Sequence, residues 1–120
     1  MAVKRFNQCT IFTLGKRDPF TGLQPIESAR SYQCSLKRGS NVKLVDSTGS
    51  EYYPASTYWV RESDLLNGTH SEPKNGEMIA KGVHDISVTP ADVGAEFIKS
   101  IMIHDHLKFG ESESYTIGAK

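Results

Sequence analysis

The run from Tyr32 to Val60, YQCSLKRGSNVKLVDSTGSEYYPASTYWV, decides the fold. Tyr32, Cys34 and Leu36 alternate with Ser31, Gln33 and Ser35, the period of a strand with one buried and one wet face. This predicts a strand from Ser28 to Lys37, broken by Arg38-Gly39-Ser40-Asn41. Val42 to Val45 and Glu51 to Val60 then make a hairpin around Asp46-Ser47-Thr48-Gly49-Ser50. Pro54 has no N–H for a ladder, so its half of the longer strand belongs at an edge or a bulge. Tyr52, Tyr53, Tyr58 and Trp59 form an aromatic group expected to pack core and sheet faces, with an interface or stacking surface as the alternative.

Upstream, Phe6 to Leu14 is rich in β-favouring Phe, Thr and Ile and ends at Gly15. The loop from Lys16 to Gly22 holds Asp18-Pro19 and Thr21-Gly22, in which proline presets φ and glycine admits a positive one. A turn centred near Thr21 and Gly22 sets Cys9 directly opposite Cys34. Two cysteines are too few for a disulfide scaffold or a four-ligand zinc site. They are expected as reduced cross-strand hydrophobes, with a redox pair as the alternative.

Downstream, Glu62 to Asn75 is the most polar segment and reads as a long exposed loop, the kind that often carries contacts. The sequon Asn67-Gly68-Thr69 is read as a turn. Glu77 to Gly82 is a short strand entering a turn, and Asp85 to Val88 is another candidate strand. Thr89, Pro90 and Asp92 suit the first turn of a helix. Phe97, Ile98, Ile101 and Met102 fit a helical stripe, while Phe97, Lys99, Ile101 and Ile103 fit alternation. With Gly94 interrupting the stripe, the reading is one helical turn over Pro90 to Val93, then a strand from Glu96 to His104. Tyr115-Thr116-Ile117 is a last short strand. The whole, 1–120, is expected to be one all-β domain: a small β-barrel or sandwich of about six to eight short antiparallel strands, with long loops and one helical turn.

The chain advertises little chemistry. Fourteen Lys and Arg balance fourteen Asp and Glu, so no bulk charge draws it to nucleic acid or anionic lipid. No apolar run reaches the roughly 18 residues of a bilayer span. The opening MAVKRFNQCTIF lacks the apolar core of a signal peptide, which places the expected protein in the cytosol. His104-Asp105-His106 would put two imidazoles on one strand face, with His84-Asp85 as further ligands, but the spacing matches no zinc signature. Polar surface or inter-subunit contact is therefore the expected role of these residues. There is no nucleophile elbow, phosphate loop or dinucleotide fingerprint, and Glu111 and Glu113 read as solvated loop. No catalytic residue, metal site or cofactor is expected. A small barrel that binds nucleic acid is the alternative function, with Lys37, Arg38 and Lys43 as part of a basic groove.

One resemblance covers nearly the whole chain. It rests on Phe6-Asn7-Gln8-Cys9-Thr10-Ile11, the turn Asp18-Pro19-Phe20-Thr21-Gly22, the strand Tyr32 to Arg38, and the turn Asp46 to Gly49. The strand Ala55-Ser56-Thr57-Tyr58-Trp59-Val60 follows, then Gly76-Glu77-Met78-Ile79 in place of a Gly-Asp-x-Ile entry, and Phe109-Gly110 with Tyr115-Thr116-Ile117 at the close. In this order the segments resemble the head–tail stopper (head-closure) proteins of tailed bacteriophages. The segment from Asp85 to Ile103 departs from the pattern. The resemblance implies a virion structural protein of the neck, assembled in the host cytoplasm and resident at the head–tail junction. Copies would form a six- or twelve-fold ring that closes the DNA exit channel. The ring would join portal and adaptor proteins to tail proteins, with double-stranded DNA passing through. Adaptor and tail-completion roles are its neighbours. Within that reading Lys37, Arg38 and Lys43 face DNA. Glu62, Ser63, Asp64, Asn67, His70, Glu72 and Lys74 belong to the gating or docking loop.

Overall fold

Alternation along the chain becomes strands that close on themselves. A computed structural model describes residues 7–22, 24–39, 43–46, 48–104 and 113–120. Expectations resting on Phe6, Ser40, Asn41, Val42, Ser47, Asp105, His106, Phe109, Gly110 and Glu111 lie outside the described residues. The strands are β1 (Asn7–Leu14), β2 (Ile26–Arg38), β3 (Leu44–Val45), β4 (Glu51–Tyr52), β5 (Ser56–Asn67), β6 (Met78–Lys81), β7 (Glu96–His104) and β8 (Ser114–Ala119). Six of them form a closed antiparallel barrel in the order β1-β2-β5-β8-β7-β6, while β3 and β4 pair as a separate hairpin. Of the expected barrel or sandwich, the barrel is the fold.

Its interior is filled. Cys9, Ile11, Tyr32, Cys34, Tyr58, Val60, Ile79, Ile98, Tyr115 and Ile117 point inward and are buried together. A six-stranded barrel has room for side chains and no more, so this interior is a core and not a channel. The Tyr32, Tyr58 and Tyr115 phenols all have raised pKa values, in each case chiefly because burial disfavours the phenolate. Tyr115 is further held neutral by its neighbour Glu113. Each phenol binds its proton more tightly folded than unfolded, so the unfolded chain loses protons first as pH rises past about 10. Their contribution to stability should therefore be constant below about pH 10 and be lost above it. Urea unfolding from alkaline buffer into this range, followed with phenolate absorbance, checks this. Tyrosinate appearing at its ordinary pH with no loss of stability would count against it.

The β1–β2 register corrects the expected one. Cys9 faces Tyr32 and Cys34 faces Asn7, so the pairing is displaced by two residues from a direct Cys9–Cys34 match. An even displacement keeps each side chain on its face. The two reduced thiols are therefore diagonal neighbours inside the barrel, and contact with Cys34, followed by burial, pushes the Cys9 thiol well up.

Three further expectations are revised. The segment 62–67 is strand and not loop, because β5 runs on to Asn67, pairing Leu65 with Tyr32 and Asn67 with Ser31. Glu62, Ser63, Asp64 and Asn67 therefore sit on β5, and the connecting loop is 68–77. Asp85 to Val88 is a turn, since the Asp85 carboxylate accepts from both the backbone N–H and the hydroxyl of Ser87. The aromatic group divides: Tyr58 is core, Tyr52 bonds Ser100 through its hydroxyl at 2.6 Å, and Tyr53 and Trp59 face outward. The helical turn at Pro90–Val93 and the strand Glu96–His104 lie where the sequence placed them, although Thr89 makes no side-chain cap bond.

Pro54 separates β4 from β5 and frees the β3–β4 hairpin to fold over the outside of the barrel. There it rests on Gly118, which lies in an outward row with Thr57 and Ser100. A Cβ on Gly118 would stand 2.6 Å from Ser100 Oγ and 2.8 Å from Leu44 Cδ1, and would also strike the Tyr52 hydroxyl.

Candidate functional site

Arg30 occupies the inward parity of β2 and is only 2% exposed. A buried guanidinium is tolerated only where its donors are met. Its Nη2 donates to Glu77 Oε1 at 3.1 Å, and its Nη1 to Thr13 Oγ1 at 3.1 Å and Glu77 Oε2 at 3.4 Å. Its Nε donates to the Ser71 carbonyl at 3.0 Å and Nη2 also reaches the Glu72 carbonyl at 3.5 Å. Glu77 in turn accepts from the Thr13 hydroxyl at 2.6 Å and the Lys74 N–H at 2.7 Å. One ion pair thus fastens the 68–77 loop to β1 and β2.

The same loop is held again at His70. Its Nδ1 is 2.7 Å from the Tyr32 hydroxyl and its ring stacks on Tyr115, whose hydroxyl donates to Glu113 at 2.9 Å. Of the residues assigned to a gating or docking loop, only His70, Glu72 and Lys74 lie on this loop. His70 turns inward, whereas Glu72 and Lys74 are exposed.

The three basic residues stand in different surroundings. Arg38 pairs with Glu96 at 3.1 Å and donates to Ser56 Oγ at 2.7 Å. Lys43 lies 3.5 Å from Glu51 and 5.7 Å from the centre of the Tyr53 ring. Lys37 is exposed opposite Thr57, in the row that the hairpin covers further along. Two of the three cations therefore have carboxylates beside them, which weakens their pull on phosphate.

Among the described residues, no three of His, Cys, Asp and Glu converge as metal ligands. His84 Nε2 lies 2.8 Å from the Lys81 carbonyl, and His104 Nε2 lies 3.2 Å from Thr116 Oγ1. The outer wall is more distinctive. Trp59, Thr116 and Met102 align across β5, β8 and β7, with Trp59 37% and Met102 60% exposed. β6 pairs only with Glu96 and Phe97, so among the described residues 100–103 have strand partners on the β8 side alone.

Sequence reasoning passed over Arg30 and Glu77, although both carried a signal. Arg30 shares the parity of Tyr32, Cys34 and Leu36, an unusual place for a cation. Glu77 fills the acidic position of Gly76-Glu77-Met78-Ile79. No protein-family model matches the chain, and neither the curated proteins nor the solved structures hold a match.

Proposed function

We propose that this chain is a structural subunit of a tailed-phage neck, a stopper-type protein whose copies form a ring between portal or adaptor and tail. The order of sequence segments supplies the family reading. The observation that carries the assembly role is the edge of β7 at 100–103, which has no second strand partner among the described residues and includes the exposed Met102 and Ile103 side chains. An edge of this kind invites another strand, and soluble proteins usually shield it. A ring repeats one heterologous contact around its axis, and such an edge serves as one half of that contact. The filled core favours a DNA channel between subunits and not through the barrel. The anchorage of 68–77 by Arg30 favours docking over gating for that loop, since a gate would have to break a buried ion pair. The nucleic-acid module is the weaker reading, because Arg38 and Lys43 already face Glu96 and Glu51.

Cross-linking mass spectrometry on purified particles tests the reading. Wild-type chain should be recovered in fixed stoichiometry with portal and tail proteins, and Met102→Lys/Ile103→Lys should lower incorporation by at least about tenfold, the effect of roughly 1.4 kcal/mol per contact. Both side chains are exposed, so the variant should keep its fold. A chain absent from particles would remove the neck assignment. Normal incorporation of the variant would remove the edge from it.

A further inference from the structure

The outer wall at β5 carries one aromatic between two cations. Thr57, Trp59 and Arg61 alternate along β5 on the outward side, since Tyr58 and Val60 lie in the core. Lys37 stands opposite Thr57 on β2, so Trp59 has Lys37 one row to one side and Arg61 one row to the other. Each row is about 7 Å from the next at the rise of a strand. Lys37, Trp59 and Arg61 are all exposed, Trp59 by 37%.

The charge of this patch has one sign. Its other neighbours in these rows are hydroxyls, Ser35 opposite Trp59 on β2 and Thr116 and Ser114 on β8. Among the described residues neither Lys37 nor Arg61 has a carboxylate at ion-pair distance, in contrast to Arg38 and Lys43. The carboxylates next along the chain turn the other way. Glu62 and Glu113 take the inward parity of Val60 and Tyr115, and Glu113 accepts from the Tyr115 hydroxyl at 2.9 Å. At the opposite end the β3–β4 hairpin brings Asp46 and Glu51, each already in the field of a cation, Lys99 and Lys43.

We propose that this row binds a single strand of nucleic acid, with a base stacked on Trp59 and the flanking phosphates on Lys37 and Arg61. Two cations without carboxylate partners select an anion. The indole between them selects a flat π face, and the order cation, ring, cation matches phosphate, base, phosphate. An acidic peptide would meet the cations and leave the indole unused. A duplex would also meet the cations, but its bases are already stacked on one another. The chain's balanced charge makes the attraction local, so affinity rests on few phosphates. Binding of this kind is sequence-tolerant, because every base has a π face. The row is distinct from the β7 edge and does not rest on the neck reading.

Trp59 is the only tryptophan in the chain, so its fluorescence reports on the row directly. Titration of the full chain with a short oligothymidylate at low salt should quench it saturably. Lys37→Ala/Arg61→Ala should lower the slope of log K against log salt by about 1.4, at roughly 0.7 for each single-strand phosphate contact. Both sites are exposed, so far-UV circular dichroism of that variant should match wild type. Trp59→Leu, followed through the anisotropy of labelled oligonucleotide, should raise Kd about tenfold or more, the size of one lost stacking contact. Absence of quenching overturns the proposal, as does an unchanged salt slope in the double variant or an unchanged Kd in Trp59→Leu. Equal quenching by duplex DNA or by polyglutamate also overturns it, since the occupant would then be chosen by charge alone. Recovery of the chain in particles is a separate readout and tests the neck assignment by itself.

Discussion

Arg30→Met should cost about 3–5 kcal/mol of folding stability, the usual penalty for removing one partner of a buried ion pair. The substitution leaves Glu77 with 10% side-chain exposure and no cation. It also strips the donors from the Ser71 and Glu72 carbonyls. The 68–77 loop should consequently loosen as well as the barrel weaken. Guanidinium unfolding gives the first effect and amide hydrogen exchange over 69–76 the second. The double variant Arg30→Met/Glu77→Leu should recover most of the loss, because a buried pair replaced by apolar groups is often close to neutral. A single variant within about 1 kcal/mol of wild type, the range of exposed pairs, would show that the pair does not carry this load.

Gly118→Val should detach the β3–β4 hairpin from the barrel and cost about 1–3 kcal/mol or more, the range for overpacking a filled site. Gly118 is buried between β5 and β7 in a closed wall, and two of the three atoms its Cβ would meet belong to the hairpin, so the hairpin is the part expected to yield. Its grip is modest, resting on Leu44 and the Tyr52–Ser100 hydrogen bond. Chemical-shift changes confined to 43–53 and its footprint on β7 and β8 would be the expected signature. Gly118→Ala should shift the same resonances less. An unmoved hairpin in the valine variant would mean that the close approach is not what positions it.

The succession of strands along the chain was largely readable because most hydrophobic alternations were bounded by a residue with a turn mechanism. Asp18-Pro19 with Thr21-Gly22, and Asp46 with Gly49, are of that kind. Register was less readable, because a hairpin loop of several residues does not fix its own centre, and the Cys9–Cys34 offset is the result. β7 explains its own ambiguity. A bulge between Ile98 and Ser100 resets the parity, so Ile98 and Ile101 both face inward at a spacing of three. That spacing imitates a helix within a strand. The polarity of 62–67 misled for another reason: it measures solvent contact, and a strand with one wet face has as much of it as a loop. Of the candidate site, the exposure of Lys37, Glu72 and Lys74 was legible, whereas Trp59 and Met102 were not singled out as exposed. The Arg30 anchorage joins residues far apart in sequence, and local pattern does not report such a contact.

The short β6 gives the barrel a seam. Four residues join it to β1, while toward β7 two pairs, Met78 with Phe97 and Ile79 with Glu96, are continued by the backbone bonds of Glu77 and Gly76 with Ile98. Every other junction in the wall is longer. Thermal opening should begin where the fewest rungs must break, so the barrel is a curled sheet with a latch and not a uniform hoop. The Arg30–Glu77 pair lies immediately before that latch in the chain, at the residue preceding Met78. Loss of that buried charge pair should therefore let the wall part more often.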